Sequence, residues 1–206
     1  MMKYIIMADG KGTRWNNFAN KPKHLIEVGN ETLLVRLVRQ LRLFGAAQII
    51  ITAKDARYEV LGAIRYEPKN NYDEIDRFTS ELIADHVCFL YGDTYYTDEA
   101  IAKIVEAKEN GLLFFGDERN IVAVKVFDGV CMRSHIHQVK STHPNGKGWH
   151  IYRSYSGMPL QQIGDGFVNL KGDFHVFNSK SDYLKFLKMR ITYLNTLKRF
   201  IAKANG

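Results

Sequence analysis

The chain of 206 residues is 46% hydrophobic and 25% charged, enough to bury a proper core and too apolar to stay disordered. Twenty-nine lysines and arginines against 22 acids leave a formal charge of +7, which suits an anionic ligand such as a triphosphate. Basic and aromatic residues do not interleave along one stretch, which argues against nucleic acid, and the solitary Cys88 and Cys131 exclude a disulfide scaffold and a zinc site.

Residues 4–8 predict a buried strand that runs into the glycine-broken basic loop Asp9-Gly-Lys-Gly-Thr-Arg14. Leu33, Leu34, Leu37, Val38 and Leu41 recur at helical spacing and predict a helix over 31–44, with Gly45 placed to end it. An Ile-rich strand follows at 48–52, a short helix at 55–61 and a strand at 63–66, ended by Pro68. A helix over 73–84, a buried strand over 86–91, a helix over 97–109 and a strand over 112–115 complete the first half. Strands alternating with helices at this spacing imply right-handed crossovers and a mostly parallel sheet.

The second half changes character. Residues 121–127 alternate like a half-exposed strand, and 143–148 read as a turn or loop. His135 and His137 would share one face of an extended segment; exposed strand histidines are the preferred reading, with contact to an acceptor phosphate as the functional one. A strand at 174–177 leads to a final helix over 181–204, with Ser179 and Asp182 spaced as a capping box. Its lysines and arginines, from Lys185 to Lys203, read as a solvated face. No apolar run reaches the roughly 18 residues of a membrane span, and the run at 4–8 is too short for a signal peptide's core. A cytoplasmic protein without a membrane partner is expected.

The two glycines of Gly10-Lys-Gly-Thr-Arg14 let the backbone turn sharply and approach an anion closely, while Lys11 and Arg14 can neutralise phosphate oxygens. The P-loop pattern is absent, and Trp15 stands where a dinucleotide fingerprint needs its third glycine. A second basic pair follows in Lys21-Pro-Lys23.

Together with Leu25-Ile-Glu-Val-Gly29, these segments resemble the signature of the nucleoside-triphosphate transferases, the sugar-phosphate and phosphocholine-type nucleotidyltransferases with a GT-A-like fold. The resemblance is strong over 3–52, extends to about 116 and fades beyond. It implies an α/β protein: a single Rossmann-like (GT-A-type) three-layer domain over 1–206, with a mostly parallel mixed central sheet flanked by helices. Residues 1–116 would form the nucleotide-binding half, and 117–206 the acceptor-binding half and terminal helix.

Carried over residue by residue, the resemblance implies that Ala8, Asp9, Gly10, Lys11, Gly12, Thr13, Arg14 and Lys23 surround the NTP. Arg14 and Lys23 would act catalytically by stabilising charge at the α-phosphate. Asp9 departs from the family's small residue and could accept from a purine amine, repel the triphosphate or face solvent. Asp93, ending the strand His86-Val-Cys-Phe-Leu-Tyr-Gly-Asp93, would hold Mg2+. The family's second acid aligns with Asn178, a weaker neutral oxygen ligand, with Asp173 as the alternative. The polar run Asn70–Ser80 falls where the family contacts the nucleobase, or simply caps a helix. Lys125 and Lys140 are further candidates for an acceptor phosphate, and Trp149 and Tyr152 either flank an acceptor or pack.

The resulting expectation is transfer of a nucleoside monophosphate from CTP, UTP or GTP to a phosphorylated small molecule, a sugar 1-phosphate or phosphocholine-like compound, releasing pyrophosphate. A homo-oligomer is compatible with this reading, and the short chain favours an activating enzyme of surface-polymer synthesis. The alternatives are a guanylyltransferase of the molybdenum-cofactor type, a GT-A glycosyltransferase and a non-catalytic nucleotide-binding protein.

Overall fold

A computed structural model describes residues 1–10, 12–15, 18–159 and 162–204. In chain order the elements are β1 (Lys3–Met7), β2 (Glu27–Val28), β3 (Glu31–Thr32), α1 (Leu33–Leu43), β4 (Gln48–Thr52), β5 (Ile64–Tyr66), β6 (Val87–Tyr91), β7 (Thr94–Tyr96), α2 (Asp98–Glu106), β8 (Leu112–Gly116), β9 (Ile121–Val126), α3 (Gly129–Thr142), α4 (Gly148–Ser156), β10 (Phe167–Asn169), β11 (Phe174–Val176) and α5 (Lys180–Ala204). Seven strands form one sheet in the order β10-β8-β9-β6-β1-β4-β5. Only β9 runs against its neighbours; β5, β4, β1 and β6 are mutually parallel, as are β8 and β10.

Alternation along β1 builds the layers. Tyr4, Ile6 and Ala8 pack with Leu34, Leu37 and Leu41 of α1 and Ile101 and Ile104 of α2. Ile5 and Met7 face the other way, into a cluster with Met132 and Val139 of α3 and Ile151 and Tyr152 of α4. A sheet covered on both faces buries its strands throughout, and that corrects one expectation. β9 is buried along its whole length rather than half-exposed. Lys125 made it look amphipathic, but its ammonium donates to the carbonyls of Val105 (2.8 Å) and Ala107 (2.6 Å), capping α2. It is therefore spent on the fold and does not face an acceptor.

Three more expectations change. Residues 73–84 form two 3-10 turns, Glu74–Phe78 and Ser80–Leu82, broken at Thr79 with φ of +40°. The Asp76 carboxylate accepts from the amides of Tyr72 (3.1 Å) and Asp73 (3.0 Å) and pairs with Lys140, drawing the backbone away from a regular helix. Lys140 is thus also structural. His135 and His137 lie on α3, where neighbours two apart point to different sides; His135 bonds Ser154 (2.8 Å) while His137 is exposed. Finally, β11 does not join the main sheet but pairs antiparallel with β7.

The short helix expected over 55–61 is a single 3-10 turn, Ala56–Tyr58, and the other expected strands and helices persist with ends shifted by up to three residues. Thr32 caps α1 by accepting from the Val35 amide, Thr97 caps α2, and Ser179 and Asp182 cap α5 reciprocally. Among the described residues no helix is long and apolar enough to cross a membrane.

Candidate active site

The carboxyl ends of β1 and β6 lie side by side, and Gly92 makes the junction tight. Its amide donates to the Met7 carbonyl (3.0 Å), and a Cβ there would meet that oxygen at 3.0 Å and Ile6 at 3.1 Å. Asp93 follows directly, buried, and forms an ion pair with buried Lys23 from the 3-10 turn after Pro22. Burial pushes the Asp93 carboxyl up, but the Lys23 ammonium and Arg77 outweigh it and hold the group below the usual carboxylate range. Next to Lys23 sits fully buried His24, whose ring nitrogen meets the Tyr58 hydroxyl at 3.3 Å. Burial, reinforced by the Lys23 charge, lowers its pKa to about 3, so it is neutral in the folded protein.

Register in the small sheet brings the second predicted ligand to the same place. Val176 pairs with Thr94, and the Phe177 amide donates to the Asp93 carbonyl (3.0 Å), so Asn178 emerges beside Asp93. Arg14 donates to the Asn178 amide oxygen at 3.3 Å, tying the glycine loop to this strand end. Asp173 lies elsewhere, bonded to Lys103 on α2 at 2.6 Å. Asp93, Thr94 and Asn178 all line one cavity of about 410 Å3. They offer a carboxylate, a hydroxyl and an amide oxygen; among the described residues no cluster of three His, Cys, Asp or Glu exists. That hard-oxygen set suits Mg2+, which keeps waters and phosphate ligands rather than an all-protein cage.

Trp15, the residue that breaks the dinucleotide pattern, is buried with Phe177 and Phe186, and its indole donates to the Lys21 carbonyl (3.0 Å), anchoring the glycine loop to the start of α5. Gly12 takes φ of +59°, which favours glycine. Gly10 faces the Arg77 guanidinium, whose carbon would lie 3.3 Å from a Cβ. Asp9 is held by Asn71, which donates to its carboxylate (2.7 Å) and its carbonyl (2.5 Å). Lys11 lies outside the described residues, as does the Thr13 side chain.

Two cavities meet at this loop, sharing Gly12 and Lys23. The smaller, about 320 Å3, lies on the β4 side between Ala8, Asp9 and Gly10 and the segment 53–58. The larger opens on the β9 side, where sequence reading missed most of the wall. Arg77, Arg119, Asn120 and Lys147 line it beside Gly148 and Trp149. Arg119 and Asn120 belong to the turn after β8, closed by Asp117 accepting from both amides (2.9 and 2.7 Å). No local pattern marks these cations; the sheet order alone collects them. Tyr152 is fully buried packing, while Trp149 donates to the Arg119 carbonyl at 3.2 Å.

Comparison with known proteins agrees with this fold. The fold matches the CTP:phosphocholine cytidylyltransferase of Streptococcus pneumoniae at a TM-score of 0.62 and 15% identity, covering 91% of this chain and 98% of that one. The inositol-1-phosphate CTP transferase of T. maritima matches at 0.62 and 12%, covering 88% and 91%. The UDP-glucose pyrophosphorylase of Acinetobacter baumanii matches at 0.61 and 11%, covering 90% and 91%. No curated protein matches the chain. The model of the MobA-like NTP transferase domain, however, matches residues 4–157, well over half the sequence, and the chain belongs to that family of nucleotidyltransferases.

Proposed function

We propose that this enzyme transfers a nucleoside monophosphate from CTP, UTP or GTP to a phosphorylated small molecule and releases pyrophosphate. The observation that carries the reading is the pair of cavities joined at Gly12 and Lys23: one for the nucleoside, one for the acceptor, with the phosphate loop between. The triphosphate would lie on the backbone of Gly10–Arg14. An acceptor phosphate oxygen would attack the α-phosphorus as the bond to the β-phosphate oxygen breaks, and the electron pair leaves with pyrophosphate. The acceptor is already anionic at neutral pH, so no general base is needed.

Lys23 and Arg14 would stabilise the charge that builds on the α-phosphate, because phosphoryl transfer depends on positioned cations more than on covalent chemistry. Arg77, against Gly10, would contribute to the same cradle. Asp93, with Asn178 and Thr94, would hold Mg2+, which supplies charge neutralisation and orientation of the phosphate oxygens. The Lys23 ammonium beside Asp93 keeps that carboxyl ionised before substrate arrives.

The test is pyrophosphate release with Mg2+ from each NTP against a panel of phosphomonoesters. Acceptor-dependent release by the wild type, abolished in Arg14→Ala and Asp93→Ala, is the expected result. Absence of NTP binding would overturn the reading.

A further inference from the structure

We infer that the acceptor carries a second anionic group, a carboxylate or a second phosphate, in addition to the phosphate that attacks; this rests on the nucleotidyltransferase reading above. Among the described residues, Arg14, Lys23, Arg77, Arg119 and Lys147 line the larger cavity against two carboxylates, Asp93 and Glu74. Asp93 pairs with Lys23 before Mg2+ and substrate arrive, and Glu74 lies 3.8 Å from Lys147. The guanidinium groups of Arg77 and Arg119 have no ion pair or hydrogen bond among the described residues.

Position divides these cations into two sets. Arg14, Lys23 and Arg77 belong to the glycine loop and its neighbours, where the triphosphate and the attacking phosphate meet. Arg119 comes from the β8–β9 turn, beyond β6 from β1 in the strand order, and Lys147 precedes α4, two residues before Trp149, whose indole bonds the Arg119 carbonyl. An acceptor whose phosphate sits near Asp93 extends its remaining atoms toward this second pair. A neutral sugar leaves the Arg119 charge unmatched and Lys147 with only its 3.8 Å contact to Glu74, and a trimethylammonium group meets like charge. Trp149 is a poor platform for such a cation: one face stacks on Phe167 (17° between planes) and its indole N–H is taken by Arg119. A carboxylate or phosphate instead matches a guanidinium fork and an ammonium.

The test measures binding of glucose 1-phosphate, glucuronic acid 1-phosphate and glucose 1,6-bisphosphate, which share a ring and differ at carbon 6, with phosphocholine as the cationic control. Titrations are run calorimetrically with Mg2+ and the α,β-methylene analogues of CTP, UTP and GTP, whose own binding is measured first. One or both of the doubly anionic sugars should bind at least about tenfold more tightly than glucose 1-phosphate, the size of one charge-assisted contact. Which of them does so distinguishes a carboxylate from a phosphate. Phosphocholine should be weakest. In Arg119→Gln, and separately in Lys147→Gln, the advantage should shrink while the melting temperature holds.

Equal affinity across the glucose series, no binding by any of the four compounds to an NTP-loaded protein, or an advantage that survives both substitutions would overturn the inference and leave the nucleotidyltransferase reading standing. Failure of the nucleotide analogues to bind would instead overturn that reading, and the inference with it.

Discussion

Lys23 and Asp93 are the residues on which the account turns, because each is buried and each is the other's counter-charge. Removing one leaves an uncompensated buried ion, a loss of about 3–5 kcal/mol. Asp93→Ala is therefore expected to lower both the urea midpoint of unfolding and turnover, the latter by roughly a hundredfold or more. Arg77→Ala should behave differently. Its guanidinium has no bonded partner among the described residues, so stability should move by less than about 0.5 kcal/mol while NTP affinity falls, which calorimetry and thermal unfolding together can separate. His24 gives a pH signature. Its folded pKa of about 3 lies below the ordinary 6.5, so only the unfolded chain takes up a proton between those values. Its contribution to stability is complete above pH 6.5 and is lost as the pH falls toward 3, at up to about 1.4 kcal/mol per pH unit. Thermal unfolding at pH 7, 6 and 5 should show that decline, and His24→Gln should flatten it.

At the scale of elements, the turn after β8 carries part of the wall of the larger cavity, the proposed acceptor site. Gly116 is indispensable there because a Cβ would lie 1.8 Å from the Asn120 carbonyl oxygen, an overlap that no small shift relieves. Gly116→Ala should cost at least about 2 kcal/mol by forcing the hairpin open, read as a lowered urea midpoint. It should also weaken acceptor binding more than NTP binding, since Arg119 moves with the turn. Elements governed by short-range signals were legible in the sequence: α1 and α2 have apolar spacing and threonine caps within a few residues of their starts. Those governed by tertiary contacts were not. Asp76 recruits Lys140 from α3 and breaks the expected helix at 73–84, and Lys125 reaches the end of α2 from a buried strand. Neither partner is visible in the local pattern.

For the whole molecule, strand order determines what becomes a site. Parallel β1 and β6, with β8 pointing the same way across antiparallel β9, deliver their following loops to one edge. Open α/β sheets bind ligands at such edges. The glycine loop and Asp93 could be read directly, because each follows an apolar strand immediately. Arg119 and Lys147 could not, since their proximity to Arg14 exists only after the sheet forms.

The central claim, that the NTP is cleaved between its α- and β-phosphates with the α-phosphate passing to an acceptor, is tested most directly by label fate. NTP labelled at the α-phosphorus and NTP labelled at the γ-phosphorus are each incubated with enzyme, Mg2+ and an acceptor that supports turnover. The account predicts that the α label enters a new acceptor-linked product and the γ label appears only in pyrophosphate. Release of the γ label as orthophosphate, or its transfer to the acceptor, would contradict it.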